Sequence, residues 1–244
     1  MEKEYIPTTA MSVQAHPDDQ EFTIAGTLAK WARAGCQVIS VIITSGDAGS
    51  NEPGRGPEYK PELARIRKAE QEAANAVLGV KETVFLDYPD GEVQPTLGLR
   101  KELTRLMRRY KPEVVVTGDP RRFFYGSDYI NHPDHRAAAQ AACDAAFPSA
   151  GTRLIFTDLL EEGLEPHNVK RLYLWGAEQA DVWVDISGTI GLKIEALRQH
   201  ASQIGAWEVD KEMRAWASET GKEKGLAAAE AFKVMALTED RPES

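Results

Sequence analysis

Short apolar runs alternate with helical patterns along the first half of the chain. "MSVQA" (11–15) predicts a first strand, and "TIAGTLAKWARAG" (23–35) a helix that stops at Gly35. "QVISVIIT" (37–44) is continuous and β-branched, the pattern of a strand buried on both faces. "ELARIRKAEQEAANAVLG" (62–79) predicts a helix stopped by Gly79, and "TVFLDY" (83–88) a strand that ends in a "PDGE" turn. "LGLRKELTRLMRRYK" (97–111) is a basic amphipathic helix, and "PEVVVTG" (112–118) a fourth strand. Beyond it the pattern predicts a helix over 135–147, strands over 153–158, 171–175 and 181–186, and a helix over 190–205. A helical tail then runs to about Leu237, and "TEDRPES" (238–244) reads as a frayed end.

Two segments carry no period. "SGDAGSNEPGRGPEYKP" (45–61) is rich in Gly, Pro, Asn and Asp and predicts a loop, and loops this long in compact domains are often functional. "DPRRFFYGSDYINHPD" (119–134) is the second. Strand–helix alternation predicts an α/β fold with a mainly parallel sheet and right-handed crossovers. Such sheets bind ligands beyond the carboxyl ends of their strands. The loops after the first, second and fourth strands therefore open onto one edge.

Composition narrows the class. With 244 residues, 42% hydrophobic and 27% charged, the chain suits a single globular domain: a core over about 8–205 and a helical extension over about 206–237. A net charge of −9 argues against nucleic-acid or anionic-membrane binding. Two cysteines, Cys36 and Cys143, stand far apart outside any CxxC pair, which disfavours a disulfide scaffold or a thiolate metal cluster. No apolar run is long enough to span a bilayer, and the charged N-terminus lacks a signal-peptide core, so a cytoplasmic protein is expected.

The chemistry concentrates in "QAHPDDQEF" (14–22) and "NHPDHRAAA" (131–139), which hold three of the five histidines. His16, Asp19 and His135 form a mixed nitrogen and oxygen set with one position open, the pattern of catalytic zinc or another divalent cation. A cation between the segments offsets the repulsion of the adjacent Asp18 and Asp19. The carboxylate left unligated is placed to take a proton from water. His132, three residues before His135, points towards the same pocket as an oxyanion donor or an acid. The plainer alternatives are solvent-facing histidines, Asp134 as a helix cap and Pro133 as an early helix residue. Arg67 stands near the start of its helix, where it either reaches the pocket or pairs with Glu70. His167, in an "EPHN" turn, reads as surface. His200 and Lys193, seven residues apart on one helix face, read as packing. No G-x-S-x-G, Walker A or G-x-G-x-x-G pattern occurs.

"AHPDDQE" and "HPDH", with "VISVIITSGDAGSN", "RKAEQEAANAVLGV", "VFLDYPDGEV" and "VDISGTIGLKIEALRQHASQ", resemble the LmbE-like family, also called PIG-L deacetylases, over roughly residues 11–205. The resemblance implies a Rossmann-like three-layer fold without a dinucleotide. It implies a zinc-dependent hydrolase that removes an N-acyl group, most often the acetyl of an N-acetylglucosamine unit. It implies His16, Asp19 and His135 as metal ligands, Asp18 as general base and His132 as oxyanion support or acid. Asp134 would orient a histidine from behind, and Arg67 would face the substrate. Some relatives are homo-oligomers. Gln20 replaces the family's usual Glu, and Ile130 stands where some relatives carry Tyr, one place after Tyr129. An amidase acting on a thiol–sugar conjugate, and a non-catalytic metal- or sugar-binding protein, are the rival readings.

Overall fold

The computed structural model describes residues 5–238. In chain order its elements begin with β1 (Thr9–Gln14), α1 (Asp19–Thr23), α2 (Ala25–Arg33), β2 (Gln37–Thr44), α3 (Lys60–Leu78) and β3 (Glu82–Tyr88). They continue with α4 (Leu97–Tyr110), β4 (Val114–Gly118), a short hairpin of β5 (Phe124–Tyr125) and β6 (Tyr129–Ile130), α5 (Pro133–Asp144) and α6 (Asp158–Glu161). The last are β7 (Arg171–Trp175), β8 (Val182–Asp185), α7 (Ile190–Arg198), α8 (Ala201–Ile204), α9 (Val209–Lys222) and β9 (Ala229–Ala236).

Seven strands form one sheet in the order β3-β2-β1-β4-β7-β9-β8, parallel except for β9. Every residue of β2 after Gln37 is buried, as a strand covered on both faces requires. Neighbouring residues of each strand feed opposite faces. Met11, Val13, Ile39 and Val41 pack under α4 and α5, while Ala10, Val38 and Val116 pack under α2, α7 and α9. The result is the expected α/β three-layer fold. Gly79, in the left-handed region at φ 77°, ends α3 where the sequence placed its stop.

Several segments differ from expectation. The strand foreseen over 153–158 is a run of turns leading into α6. Arg108 of α4, 1% exposed, draws the carbonyls of Ser149, Ala150, Thr152 and Ile155 onto its guanidinium, so they cannot join a ladder. The helix foreseen over 190–205 breaks at His200 into α7 and α8. The helical tail ends at Lys222, and residues 229–236 become β9. Pairing with β7 on one side and β8 on the other overrides the helix-forming alanines. The stretch after 205 is no appendage, because Val209, Met213, Ala217 and Phe232 join the core beneath β1 and β4. The helix foreseen from His135 starts at Pro133, and that foreseen from Thr23 is preceded by α1. His167 is half-buried, its Nε2 2.8 Å from the Pro112 carbonyl. The end read as frayed lies outside the described residues beyond Thr238.

Candidate metal centre and cleft

β1 and β4 are neighbours from which the chain winds in opposite directions, to β2 and β3 on one side and to β7 on the other. The crevice beyond their carboxyl ends is where such sheets place ligands. The turn after β1 supplies His16 and Asp18, with Asp19 opening α1. The segment after β4 supplies Asn131, His132, Asp134 and His135.

Asp18 takes φ 90° and ψ −24°, a left-handed turn that aspartate tolerates better than most residues. The two neighbouring carboxylates thereby take different partners. Asp18 Oδ2 accepts a 2.8 Å hydrogen bond from Arg67 Nη2, while Asp19 accepts the His16 backbone N–H at 2.8 Å and faces both imidazoles.

Three donors converge. His16 Nδ1 lies 3.2 Å from His135 Nε2, His135 Nε2 3.0 Å from one oxygen of Asp19, and His16 Nδ1 3.6 Å from the other. Tetrahedral donors bound at about 2.0–2.1 Å stand about 3.3–3.4 Å apart, so the set fits a divalent cation. The far nitrogens agree. His16 Nε2 faces Asp90 at 3.1 Å and Asp134 at 3.3 Å, and His135 Nδ1 faces Asn131 Oδ1 at 3.2 Å. An N–H directed at these acceptors leaves the near nitrogen's lone pair free for a cation. Asp134 and Asp90 are themselves held, by the N–H groups of Gly91 and Val93 and of Ala48. They therefore orient His16 from behind.

Electrostatics point the same way. Burial works against a charged His16, yet Asp19, Asp134 and Asp90 hold its proton up to about 12. The three carboxylates around His16 thus favour positive charge at this point. Asp19 is driven well below the ordinary carboxylate range: burial opposes this, and His135 and His16 overcome it. Burial pushes Asp18 up to about 6 against the pull of Arg67.

His132 caps α5, its Nδ1 accepting the Asp134 N–H at 3.2 Å. The neutral ring therefore carries its proton on Nε2, as a donor. Burial, then the neighbouring His16, lowers its pKa below the ordinary value. Arg67, expected on the substrate side, is 4% exposed and committed to Asp18, the Pro17 carbonyl (2.6 Å) and the Gly46 carbonyl (2.9 Å). Gln20 is fully buried, its amide donating to Glu21 and Asn75, two bonds that an ionised Glu cannot make. Asp90 and Asn131 went unforeseen. The "PDGE" turn closes β3 on the active edge, and Asn131 stands one helical turn before His135. Those placements were the available signals.

Beside the donors opens a cleft of about 740 Å³ whose walls include Asp19, His135, Tyr129, Trp175, Met213 and Trp216. Tyr129 thus stands in the cleft wall while Ile130 is 62% exposed. α9 and β9 form much of the far side. Among the described residues no helix is long and apolar enough to cross a membrane.

Known proteins resemble this chain in sequence and in fold. The family model for PIG-L, described as GlcNAc-PI de-N-acetylase, matches residues 11–146. The diacetylchitobiose deacetylase of Thermococcus kodakarensis is 30% identical over 228 residues, 92% of this chain and 82% of that one. The 1D-myo-inositol 2-acetamido-2-deoxy-alpha-D-glucopyranoside deacetylase of Kineococcus radiotolerans is 27% identical over 256 residues, 81% and 69% of the two chains. The N,N'-diacetylchitobiose deacetylase from Pyrococcus horikoshii, solved with an inhibitor, superposes with a TM-score of 0.85 at 29% identity, covering 94% of this chain and 84% of that one.

Proposed function

The chain belongs to the PIG-L family, and on that premise we propose that it is a zinc-dependent hydrolase removing the N-acetyl group of an amino sugar such as an N-acetylglucosaminide. The observation that carries this is the convergence of His16 Nδ1, His135 Nε2 and Asp19, next to Asp18, beside a cleft that Asp19 and His135 line. A zinc ion held by His16, Asp19 and His135 would polarise the amide carbonyl and acidify a water molecule.

The chain's own groups do the rest. Asp18, aimed by Arg67, takes a proton from the water that attacks the carbonyl carbon. His132 offers its Nε2–H to the oxygen on which negative charge develops, and a proton passes to the amine as the C–N bond breaks. Acetate and a free amine leave. Asp134 and Asp90 hold the His16 ring, and the aromatic cleft wall carries the sugar. Two unpaired cysteines, Cys36 and Cys143, suit a reducing cytoplasm.

Metal analysis of the purified protein, followed by amine release across a panel of N-acetylated sugars, tests the reading. Asp18→Asn is expected to lose at least about 10²-fold in kcat with its zinc retained. A zinc-bound protein that releases no amine from any member of the panel would make it a binder instead.

A further inference from the structure

His200 is fully buried at the break between α7 and α8, and among the described residues neither ring nitrogen makes a hydrogen bond. Its Nε2 lies 3.4 Å from Oε2 of Glu21, itself 0% exposed and without a hydrogen bond on that oxygen. An imidazole and a carboxylate so deep in a core are expensive to bury, and apolar side chains would fill the same space at less cost. Packing alone does not account for the pair.

Glu21 Oε1 leads onward. It accepts the side-chain N–H groups of Gln20 at 2.8 Å and Gln71 at 3.0 Å. The other end of the Gln71 amide, Oε1, accepts the backbone N–H of Asp18 at 2.9 Å. One helical turn earlier on α3, Arg67 holds the Asp18 carboxylate. One helix therefore grips Asp18 by its side chain and by its backbone, at a residue in the left-handed region. An amide has a donor end and an acceptor end, whereas an ionised carboxylate only accepts. With Glu21 on one side, Gln71 must present NH₂ to Glu21 and its carbonyl to Asp18. Were that amide reversed, an NH₂ group would face the Asp18 N–H and the turn would lose its anchor. The His200 ring, its Nε2 3.4 Å from Oε2, backs that carboxylate on the side away from Gln71.

We propose that His200 and Glu21 are positioning residues for Asp18, acting through the polarity of the Gln71 amide. This rests on the reading of Asp18 as the base. The test uses the full chain loaded with zinc, with metal stoichiometry and thermal midpoint recorded for each variant. His200→Leu and Glu21→Met, which leaves no acceptor for the Gln71 NH₂ at position 21, are expected to lose about tenfold in kcat, with KM within about twofold and zinc at wild-type stoichiometry. His200→Gln, whose NH₂ reaches towards Glu21, is expected to recover most of the loss. The His200→Leu/Gln71→Met double variant is expected to be no slower than Gln71→Met alone, because both act through one amide.

Wild-type kcat in His200→Leu and Glu21→Met beside an inactive Asp18→Asn overturns this proposal and leaves the base reading standing. So does equal impairment by Leu and Gln at position 200, the signature of packing, and so does an additive double variant. A fully active Asp18→Asn overturns the base reading and this proposal with it. Should His200→Leu fail to fold, Glu21→Met, of similar size and without an acceptor, decides.

Discussion

Glu230 of β9 is the most consequential charge outside the metal centre. Its carboxylate accepts the N–H groups of Gly26 at 3.0 Å and Thr27 at 2.7 Å, at the start of α2, and pairs with Lys193 Nζ at 2.6 Å. Both side chains are nearly dry, 4% exposed for Glu230 and 5% for Lys193. In Glu230→Ala the ammonium keeps, among the described residues, the Thr23 carbonyl at 3.1 Å as its hydrogen-bond partner. Removing one partner of a buried pair costs about 3–5 kcal/mol. The two orphaned helix N–H groups add about 1 kcal/mol. A total of about 4–6 kcal/mol approaches the whole stability of many domains, about 5–15 kcal/mol. At about 2–4 °C per kcal/mol for a chain of this size, the thermal midpoint should fall by about 10–20 °C. Denaturant titration of Glu230→Ala and of Lys193→Met/Glu230→Gln measures it directly. The double variant strands no charge and should lie closer to wild type. A Glu230→Ala midpoint within about 1 kcal/mol of wild type would refute the reasoning.

The remaining expectations are shorter. Gly46 sits at φ 68° with an added Cβ 2.2 Å from Arg67 Nη1, so Gly46→Ala should dislodge Arg67 from Asp18 and lower kcat about tenfold. Gly54, at φ 90° with nothing within 4 Å, carries similar backbone strain without the neighbour, so equal kcat losses in Gly54→Ala and Gly46→Ala would count against the clamp. Stripping the protein with a chelator should lower its thermal midpoint, and restoring zinc to 100 times its Kd should return about 2.7 kcal/mol, read by calorimetry. Burial pushes the thiols of Cys36 and Cys143 up to about 12. The thiolate is the reactive form, so at pH 8 roughly one thiol in ten thousand is ionised, and alkylation of the folded protein should lag far behind the unfolded chain. Rapid native labelling would contradict this.

Much of the site was legible because its parts obey local rules. A continuous β-branched run is a buried parallel strand wherever it occurs, and β2 was read residue for residue. Once strands and crossovers are set, the turns holding His16, Asp19 and His135 must share an edge. What escaped depends on partners distant in sequence. Nothing near residue 153 tells of the guanidinium of Arg108 beneath it. Nothing in "AEAFKVMA" reveals that two strands flank it. Lys193 lies on α7 but His200 falls at the break after it, not on the shared helix face foreseen, and their partners, Glu230 and Glu21, come from opposite ends of the chain.

The Arg108 arrangement bears on how this protein can be engineered. Residues 150–155 lack regular structure and include the exposed Leu154, so by outward look they invite a grafted epitope or a new chain terminus. Yet their carbonyls are the main counterweight to an interior cation, and shifting one by a residue would leave that guanidinium stranded. The stretch 51–56, exposed over nearly its whole length, is the sounder place for insertions. Irregular backbone and tolerant backbone are different things here.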